Sequence, residues 1–177
     1  LSQQFGTASL YLATCIPRSS LHSTGSPFNL NSKAPFTAEC WFSNNAEMYY
    51  GCIISALSNG SYAPFRVSVP FDDSGNPPLE IYVGNDALNS YTVNGSTYGS
   101  YTDGTWCHLA IVGDGIDLVF YLNGTSILST TQPNWSDANG NIKFGGDDFS
   151  GYIDEFRFSS IARYTSDFTP STSAFEL

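Results

Sequence analysis

The sequence predicts an all-β protein, a two-sheet antiparallel β-sandwich, from its composition and from the absence of a helical period. Aromatic residues make up 15% of the chain and charged residues only 12%, whereas helix surfaces normally need many Glu, Lys, Arg and Ala residues. The 16 Gly and 9 Pro residues indicate many turns. No window shows a sustained 3.6-residue apolar period, and Ser159–Tyr164 allows at most a short helical turn near the C-terminus.

The length indicates a single domain. A chain of 177 residues buries about 70% of the surface that its unfolded form exposes, so it needs no disulfide or metal to fold. No internal repeat, low-complexity tract or linker divides it. We therefore expect one domain over residues 1–177, with its core at about 5–170.

Short apolar or alternating runs recur along the chain with turn residues between them. The runs predicted as strands are Ala8–Leu12, Thr37–Phe42, Cys52–Leu57, Phe65–Val69, Leu79–Val83, Trp106–Val112, Leu118–Leu122, Ser126–Ser129, Ile142–Phe144 and Tyr152–Phe158. Asn123-Gly124 is a type I′ hairpin signal, so residues 106–129 are predicted to form a three-stranded meander. One more, exposed strand is expected around Ser90–Val93.

Alternation along two strands predicts which side chains share a face. In the first of these strands Ala38, Cys40 and Phe42 lie opposite Glu39 and Trp41. In the last strand Tyr152, Asp154, Phe156 and Phe158 lie opposite Ile153, Glu155 and Arg157. An acid in an aromatic row is costly unless it has a partner, so Asp154 is expected to bond to backbone, to Arg or to a cation.

The charge balance excludes two classes of partner. Six Lys and Arg residues stand against 16 Asp and Glu residues, a formal net charge of −10, and the basic residues form no cluster. Nucleic acid is therefore not an expected partner. The acidity also repels an anionic membrane, and no apolar run approaches the roughly 20 residues of a membrane span. The net negative charge is compatible with divalent cations and neutral sugars as ligands.

The cysteines are predicted to be free thiols. Cys15, Cys40, Cys52 and Cys107 are widely spaced and form no CxxC or Cys/His cluster that would indicate zinc. Three of them lie in apolar strand-like runs, where a reduced Cys behaves as a small hydrophobic residue. A Cys40–Cys52 bridge is the alternative.

Four segments, taken in order, resemble a known superfamily. They are Phe5–Leu12 (FGTASLYL), Phe36–Phe42 (FTAECWF), Thr105–Val112 (TWCHLAIV) leading to Phe120–Gly124 (FYLNG), and Phe149–Phe158 (FSGYIDEFRF). Together they resemble laminin-G-like, concanavalin A-like jelly-roll domains. The closing stretch at residues 161–170 (IARYTSDFTP) is similar to the ending of such domains in bacteriophage tail fibres and other virion proteins. The resemblance implies a two-sheet sandwich that is usually non-enzymatic and often binds glycans or protein.

The sequence predicts no catalytic residues. Glycosidases need two carboxylates flanking the sugar bond, but the side chains of Asp154 and Glu155 point to opposite faces of one strand. A cross-strand pair of Glu39 and Glu155 is a remote alternative. The two histidines lie near no nucleophile motif: His108 is expected to be a hydrogen-bonded structural residue within a strand, and His22 to lie in a solvated Ser-rich loop.

Calcium is the candidate cofactor, although the default expectation is no cofactor at all. Asp137, Asn139 and Asn141 alternate like the start of an EF-hand loop, but Ile142 stands where that loop needs Gly, so an EF-hand is rejected. A loop site of another geometry would draw its ligands from Asp137, Asn139, Asp147, Asp148 and Asp154. The alternative is that these Asp and Asn residues only make turns.

Aromatic residues in polar segments are the candidate sugar-binding residues. They are Trp135, Tyr91, Tyr98 and Tyr101. Each ring either stacks on a sugar or covers the core from a loop. Four Asn-x-Ser/Thr sequons would suit a secreted glycoprotein, but three of them are Asn-Gly turns.

The resemblance implies a non-enzymatic virion structural or adhesion module of a bacteriophage, a capsid or tail decoration with a host-surface glycan as candidate ligand. Its expected partners are other virion proteins, with homo-oligomerisation open, and its expected location is a virion assembled in host cytoplasm. The main alternative is a secreted or cell-surface lectin-like domain with oxidised cysteines and occupied sequons. A polysaccharide-active enzyme is a distant alternative.

Overall fold

Twelve β-strands make up the regular structure in the described part of the chain, a computed structural model that covers residues 10–12, 21–22, 33–45, 51–57, 65–69, 78–84, 96–134, 141–145 and 149–175. The strands are β1 (Leu10–Leu12), β2 (Leu21–His22), β3 (Phe36–Asn44), β4 (Gly51–Leu57), β5 (Phe65–Val69), β6 (Pro78–Val83), β7 (Ser96–Ser100), β8 (Cys107–Gly113), β9 (Asp117–Leu122), β10 (Thr125–Thr131), β11 (Asn141–Phe144) and β12 (Gly151–Ser159). No helix among these residues has the length and apolar character needed to cross a bilayer.

The strands form two antiparallel sheets of six strands each, as a β-sandwich requires. Sheet A has the order β1-β12-β3-β8-β9-β10, and sheet B the order β2-β11-β4-β5-β6-β7. The predicted meander is confirmed, because β8, β9 and β10 are successive antiparallel neighbours in sheet A. Each of the ten apolar or alternating runs predicted as strands overlaps an observed strand.

Two observed strands were not predicted. Strand β2 places His22 in a backbone pair with Lys143 of β11, so the loop expected at His22 is wrong. Strand β7 begins after the stretch Ser90–Val93, which lies outside the described residues. Both strands lie at a sheet edge and carry few apolar residues, so backbone pairing rather than an apolar pattern defines them.

The core lies between the two sheets. Ala38, Cys40 and Phe42 of β3 belong to it, which confirms the alternation predicted for this strand. Phe36 of β3 stacks on Phe65 of β5 with 5.8 Å between ring centroids, and this contact joins sheet A to sheet B. All nine residues of β3 are buried, so the outer face of sheet A must be covered as well.

The described cysteines are free thiols. Cys40, Cys52 and Cys107 are buried thiols that form no disulfide with one another, so the alternative Cys40–Cys52 bridge is wrong, and Cys15 lies outside the described residues. Burial raises the pKa of the Cys40 and Cys107 thiols. Thiols of this kind are unreactive, because the nucleophile is the thiolate.

A β-bulge interrupts the alternation predicted for β12. Asp154 pairs with Trp41, but the next paired residue is Arg157, opposite Glu39, so two residues of β12 face one of β3. Glu155 has φ +48° within the bulge. Beyond the bulge the faces are reversed. Arg157 therefore lies beside Glu39 on the outer face, and the predicted sharing of one row by Asp154 and Phe158 is wrong.

Residues 160–175, here called the C-terminal segment, leave β12 and cross the outer face of sheet A. The helical turn allowed at Ser159–Tyr164 does not form. Instead, Thr37 Oγ1 donates to Ile161 O (2.8 Å) and accepts from Arg163 N (2.9 Å). These backbone groups bond to β3, so they are not available to a helix.

Aromatic rings hold the middle of the C-terminal segment to sheet A. Tyr164 and Phe168 stack with 3.5 Å between centroids, and Phe168 meets Tyr121 of β9 edge-on at 5.4 Å. Phe168 N also donates to Gly124 O in the β9–β10 turn (2.9 Å). The segment thus spans sheet A from β12 to β9 and buries an apolar cluster on its outer face.

Candidate functional site

Most of the residues predicted to bind ligand or metal lie outside the described residues. They are Trp135, Tyr91, Asp137, Asn139, Asp147 and Asp148. Tyr98 lies in β7, where only the backbone is described. The structure therefore places two of the predicted site residues, Tyr101 and Asp154, and both are buried.

Tyr101 is not a sugar-stacking surface. Its side chain is 4% exposed and meets Phe42 of the core edge-on, with 5.2 Å between ring centroids. Burial raises the pKa of its hydroxyl. The prediction of an exposed platform is wrong for this residue, and the alternative that it covers the core is confirmed.

Asp154 has the backbone partner that its position demands. Its carboxylate accepts a hydrogen bond from Glu155 N (2.9 Å) at the start of the bulge. Among the described residues no group of three or more His, Cys, Asp or Glu side chains could hold a metal ion. Calcium binding by the loop residues stays a prediction.

A buried carboxylate network lies between sheet A and the C-terminal segment. Glu39 is fully buried, and its carboxylate accepts hydrogen bonds from three side chains. Nη2 and Nε of Arg157 lie 2.7 and 2.8 Å from one carboxylate oxygen. The hydroxyl of Tyr164 (2.9 Å) and His108 Nε2 (3.2 Å) contact the other oxygen. Burial alone would raise the pKa of Glu39, but the hydrogen bonds from these three side chains outweigh it and hold the pKa below its ordinary value. Glu39 is therefore an anion with every oxygen in use.

This network decides two sequence-based expectations. His108 is a fully buried, hydrogen-bonded residue, which confirms its structural role. The remote alternative of a carboxylate pair between Glu39 and Glu155 is wrong, because Arg157 and not Glu155 pairs with Glu39. The Glu155 carboxylate instead accepts a hydrogen bond from Phe175 N (2.6 Å).

A groove of about 620 Å³ opens beside the β12 bulge, and we call it the β12 groove. The residues that line it are Asp154, Glu155, Phe156, Arg157, Phe158, Ser159, Arg163 and Phe175. One side comes from β12 and the other from the C-terminal segment. The lining combines three aromatic rings with carboxylates, guanidinium groups and a hydroxyl, the mixture of apolar surface and a few polar groups that ligand sites use.

Phe156 presents an aromatic ring in this groove. It is 50% exposed, although its ring also contacts Phe144 of β11 at 5.3 Å between centroids. The strained φ of Glu155, the residue before Phe156, belongs to the same bulge. Such strain is concentrated at functional sites in many proteins.

Two arginines frame the groove in different ways. Arg157 is held by Glu39 and lies over the Phe175 ring, with its guanidinium carbon 3.8 Å from the ring centroid. Arg163 is exposed on the C-terminal segment, and its Nε donates to Ser159 Oγ (2.6 Å). The groove thus offers one fixed cation and one that faces solvent.

The sequence also matches a family of known proteins. Residues 19–167 match the Laminin_G_3 family model, described as the "Concanavalin A-like lectin/glucanases superfamily". The chain belongs to this family. The match confirms the laminin-G-like resemblance, and no curated protein matches the chain in a sequence search.

Solved structures show the same concanavalin A-like fold at low sequence identity. A heptameric SAP-like pentraxin from Limulus polyphemus has a TM-score of 0.58 at 18% identity, with 88% of this chain and 76% of that chain covered. Domain 4 of the arabinanase AbnA from Geobacillus stearothermophilus has 0.61 at 20%, covering 87% and 71%. The binding domain of Botulinum neurotoxin DC has 0.62 at 15%, covering 86% of this chain but 38% of that one.

The concanavalin A-like pattern does not reveal the β12 groove. Phe156 falls in a row that alternation assigns to one face together with Phe158, and the bulge that separates them has no Gly to mark it. Arg163 and Phe175 lie in a stretch without apolar periodicity. The available signal is weak: four charged or aromatic residues in succession at 154–157, next to a strand that carries an isolated Glu39.

Proposed function

We propose that this domain is a non-catalytic, glycan-binding adhesion module, and that the β12 groove is its ligand site. The observation that carries the proposal is the half-exposed ring of Phe156 in the lining of a groove that also has polar groups. One part of the ring rests on Phe144, which limits its motion, while the rest is open to solvent. An aromatic ring fixed in this way loses little entropy when a sugar ring stacks on it.

The polar groups of the groove suit the hydroxyl groups of a sugar. Ser159, Arg163 and Glu155 supply a hydroxyl, donors and acceptors within the lining. Because the chain has a net charge of −10, uncharged sugars reach the groove without repulsion. Binding should therefore rest on stacking and neutral hydrogen bonds, with little dependence on salt.

The similar structures agree with a sugar ligand on this fold. The arabinanase domain is described in complex with arabinotriose, and the neurotoxin binding domain in complex with SialylT. At sequence identities of 20% and 15% the likeness extends to the fold only. The support for a site in this chain is therefore the β12 groove itself.

We propose the surface of a bacteriophage particle as the setting, with other virion proteins as partners and assembly in host cytoplasm. We base this on the sequence of residues 161–170, which resembles the ending of such domains in virion proteins, and on the buried thiols, which suit a reducing compartment. The rival setting, a secreted lectin, would favour an occupied sequon at Asn123. A hydrolase is not proposed, because Glu39 is buried under the C-terminal segment.

A glycan array tests the function. The domain should bind at least one glycan, and Phe156→Ala should weaken that binding by about 1–3 kcal/mol, by analogy with bases stacking on aromatic rings. Ile116→Ala is the control, because Ile116 is an exposed apolar residue in the β8–β9 turn and does not line the groove. Absence of glycan binding, or equal binding by parent and Phe156→Ala, would refute the proposal.

A further inference from the structure

The β12 groove is built from two parts of the chain that are joined by contacts across it. Asp154 to Ser159 form one wall, and Arg163 and Phe175 of the C-terminal segment belong to the other. A groove of this kind exists only while the segment is docked. The contacts that dock the segment therefore decide whether the groove exists.

Docking contacts occur at five places along sheet A, one of them the hydrogen bond from Ser126 N of β10 to Asp167 Oδ1 (2.8 Å). Thr37 bonds the start of the segment, Glu39 bonds Tyr164, and the β9–β10 turn bonds Phe168. Glu155 bonds the backbone of Phe175 at the far end. Of these anchors, Glu39 is a fully buried charged side chain, and its carboxylate also holds Arg157 of the opposite wall.

The link from Glu39 to the groove runs through Arg157. The carboxylate fixes the guanidinium at 2.7–2.8 Å, and the guanidinium lies 3.8 Å from the centre of the Phe175 ring. The Arg157 side chain is 20% exposed, so without the carboxylate it can turn towards water. The Phe175 ring would then lose the cation that covers it, and the groove would lose one wall.

A buried ion pair is a weak device for stability, since well-packed apolar residues of similar volume often serve as well. Its geometry is directional, however, because Nε and Nη2 of the rigid guanidinium both contact Glu39 Oε1, and two charge-assisted contacts orient the Arg157 side chain. We propose that Glu39 is a positioning residue of the β12 groove, which locks Arg157 and the C-terminal segment into the arrangement that binds ligand. The inference rests on the proposed function, because it names the residue that holds the proposed ligand site in its binding arrangement.

The test compares Glu39→Gln with Val67→Ala. Glutamine keeps the shape of the side chain but removes the charge, while Val67 is a fully buried core residue of sheet B that does not line the groove. Two properties are measured at temperatures equally far below each melting point: trypsin cleavage after Arg163, followed by mass spectrometry, and the dissociation constant for the best glycan of the array. Glu39→Gln should increase both by about tenfold, the effect of losing one charge-assisted contact, and Val67→Ala should change neither.

The outcomes separate two claims: that Glu39 holds the C-terminal segment in place (the lock), and that the β12 groove is the ligand site. If Glu39→Gln is cleaved like Val67→Ala, Glu39 does not hold the segment and the inference is overturned, whatever the ligand. If cleavage increases while glycan affinity is unchanged, the segment is locked but the groove is not the site, which overturns the proposed site and the positioning role together. If the parent binds no glycan, the proposed function fails, and the cleavage result alone still supports or overturns the lock. Should Glu39→Gln fail to fold, Tyr164→Phe removes one hydrogen bond to Glu39 and should increase cleavage to a smaller extent.

Discussion

Gly124→Ala should undock the C-terminal segment, and Gly104→Ala is its matched control. Both glycines have left-handed backbone conformations, with φ of +79° and +74°. A Cβ atom at Gly124 would lie 1.9 Å from the carbonyl oxygen and 2.9 Å from the carbonyl carbon of Phe168, whereas one at Gly104 meets nothing within 4 Å. The two substitutions therefore share the backbone strain and differ in the clash with the segment.

The expected magnitudes follow from these contacts. Gly104→Ala should lower the free energy of unfolding by about 1–2 kcal/mol, the cost of a left-handed alanine. Gly124→Ala adds the loss of the hydrogen bond from Phe168 N, about 0.5–1.5 kcal/mol, and of the partly buried Phe168 ring, about half of the 1.5–3 kcal/mol for full burial. The total is about 2–5 kcal/mol, or about 4–20 °C in melting temperature for a domain of this size.

Calorimetry and trypsin cleavage after Arg163 measure the difference. Gly124→Ala should melt several degrees below Gly104→Ala and should be cleaved faster in its native state, because the segment is released before the sheets open. Equal melting temperatures and equal cleavage of the two variants would show that the segment contributes nothing at this anchor, and the account of a docked segment would then be wrong.

Three further predictions concern acid, calcium and thiols. Because the folded pKa of Glu39 lies below its unfolded value, its contribution to stability is present above the ordinary Glu range and is lost as the pH falls through the folded value. The melting temperature of the parent should therefore fall more steeply in acid than that of Glu39→Gln, and parallel curves would contradict this. If Asp137, Asn139, Asp147 and Asp148 hold calcium, chelator should lower the melting temperature through lost binding free energy, and an unchanged melt would remove calcium from the account. Cys40, Cys52 and Cys107 should react with a thiol reagent only after unfolding, since they are buried, and modification of any of the three in the native protein would disprove their burial.

The sandwich was predictable because its central strands carry their own pattern. In β3 Ala38, Cys40 and Phe42 alternate with Glu39 and Trp41, and this alternation distinguishes the face towards the core from the outer face. The Asn123-Gly124 turn identifies the hairpin of β9 and β10 within the meander. The polar edge strands β2 and β7 carry no such pattern, so only their backbone pairing reveals them. Alternation failed at β12, because one extra residue in a bulge reverses every face that follows.

The candidate site was not predictable for a related reason. Its exposed ring, Phe156, lies within the bulge, and the groove is completed by Arg163 and Phe175 in a segment without secondary structure. Sequence alone identified aromatic residues in loops, and Tyr101 shows the weakness of that rule, because a loop aromatic can equally turn inward. The isolated acid Glu39 on a core strand was the only feature of the sequence that indicated the buried carboxylate network.

The most direct test of the account is a crystal structure of the domain with the best glycan from the array. We expect a sugar ring against Phe156 in the β12 groove, with Arg163 or Ser159 within hydrogen-bond distance of its hydroxyl groups and the C-terminal segment docked over Glu39. A glycan bound elsewhere, for example at Trp135, with the β12 groove unoccupied, would contradict the account.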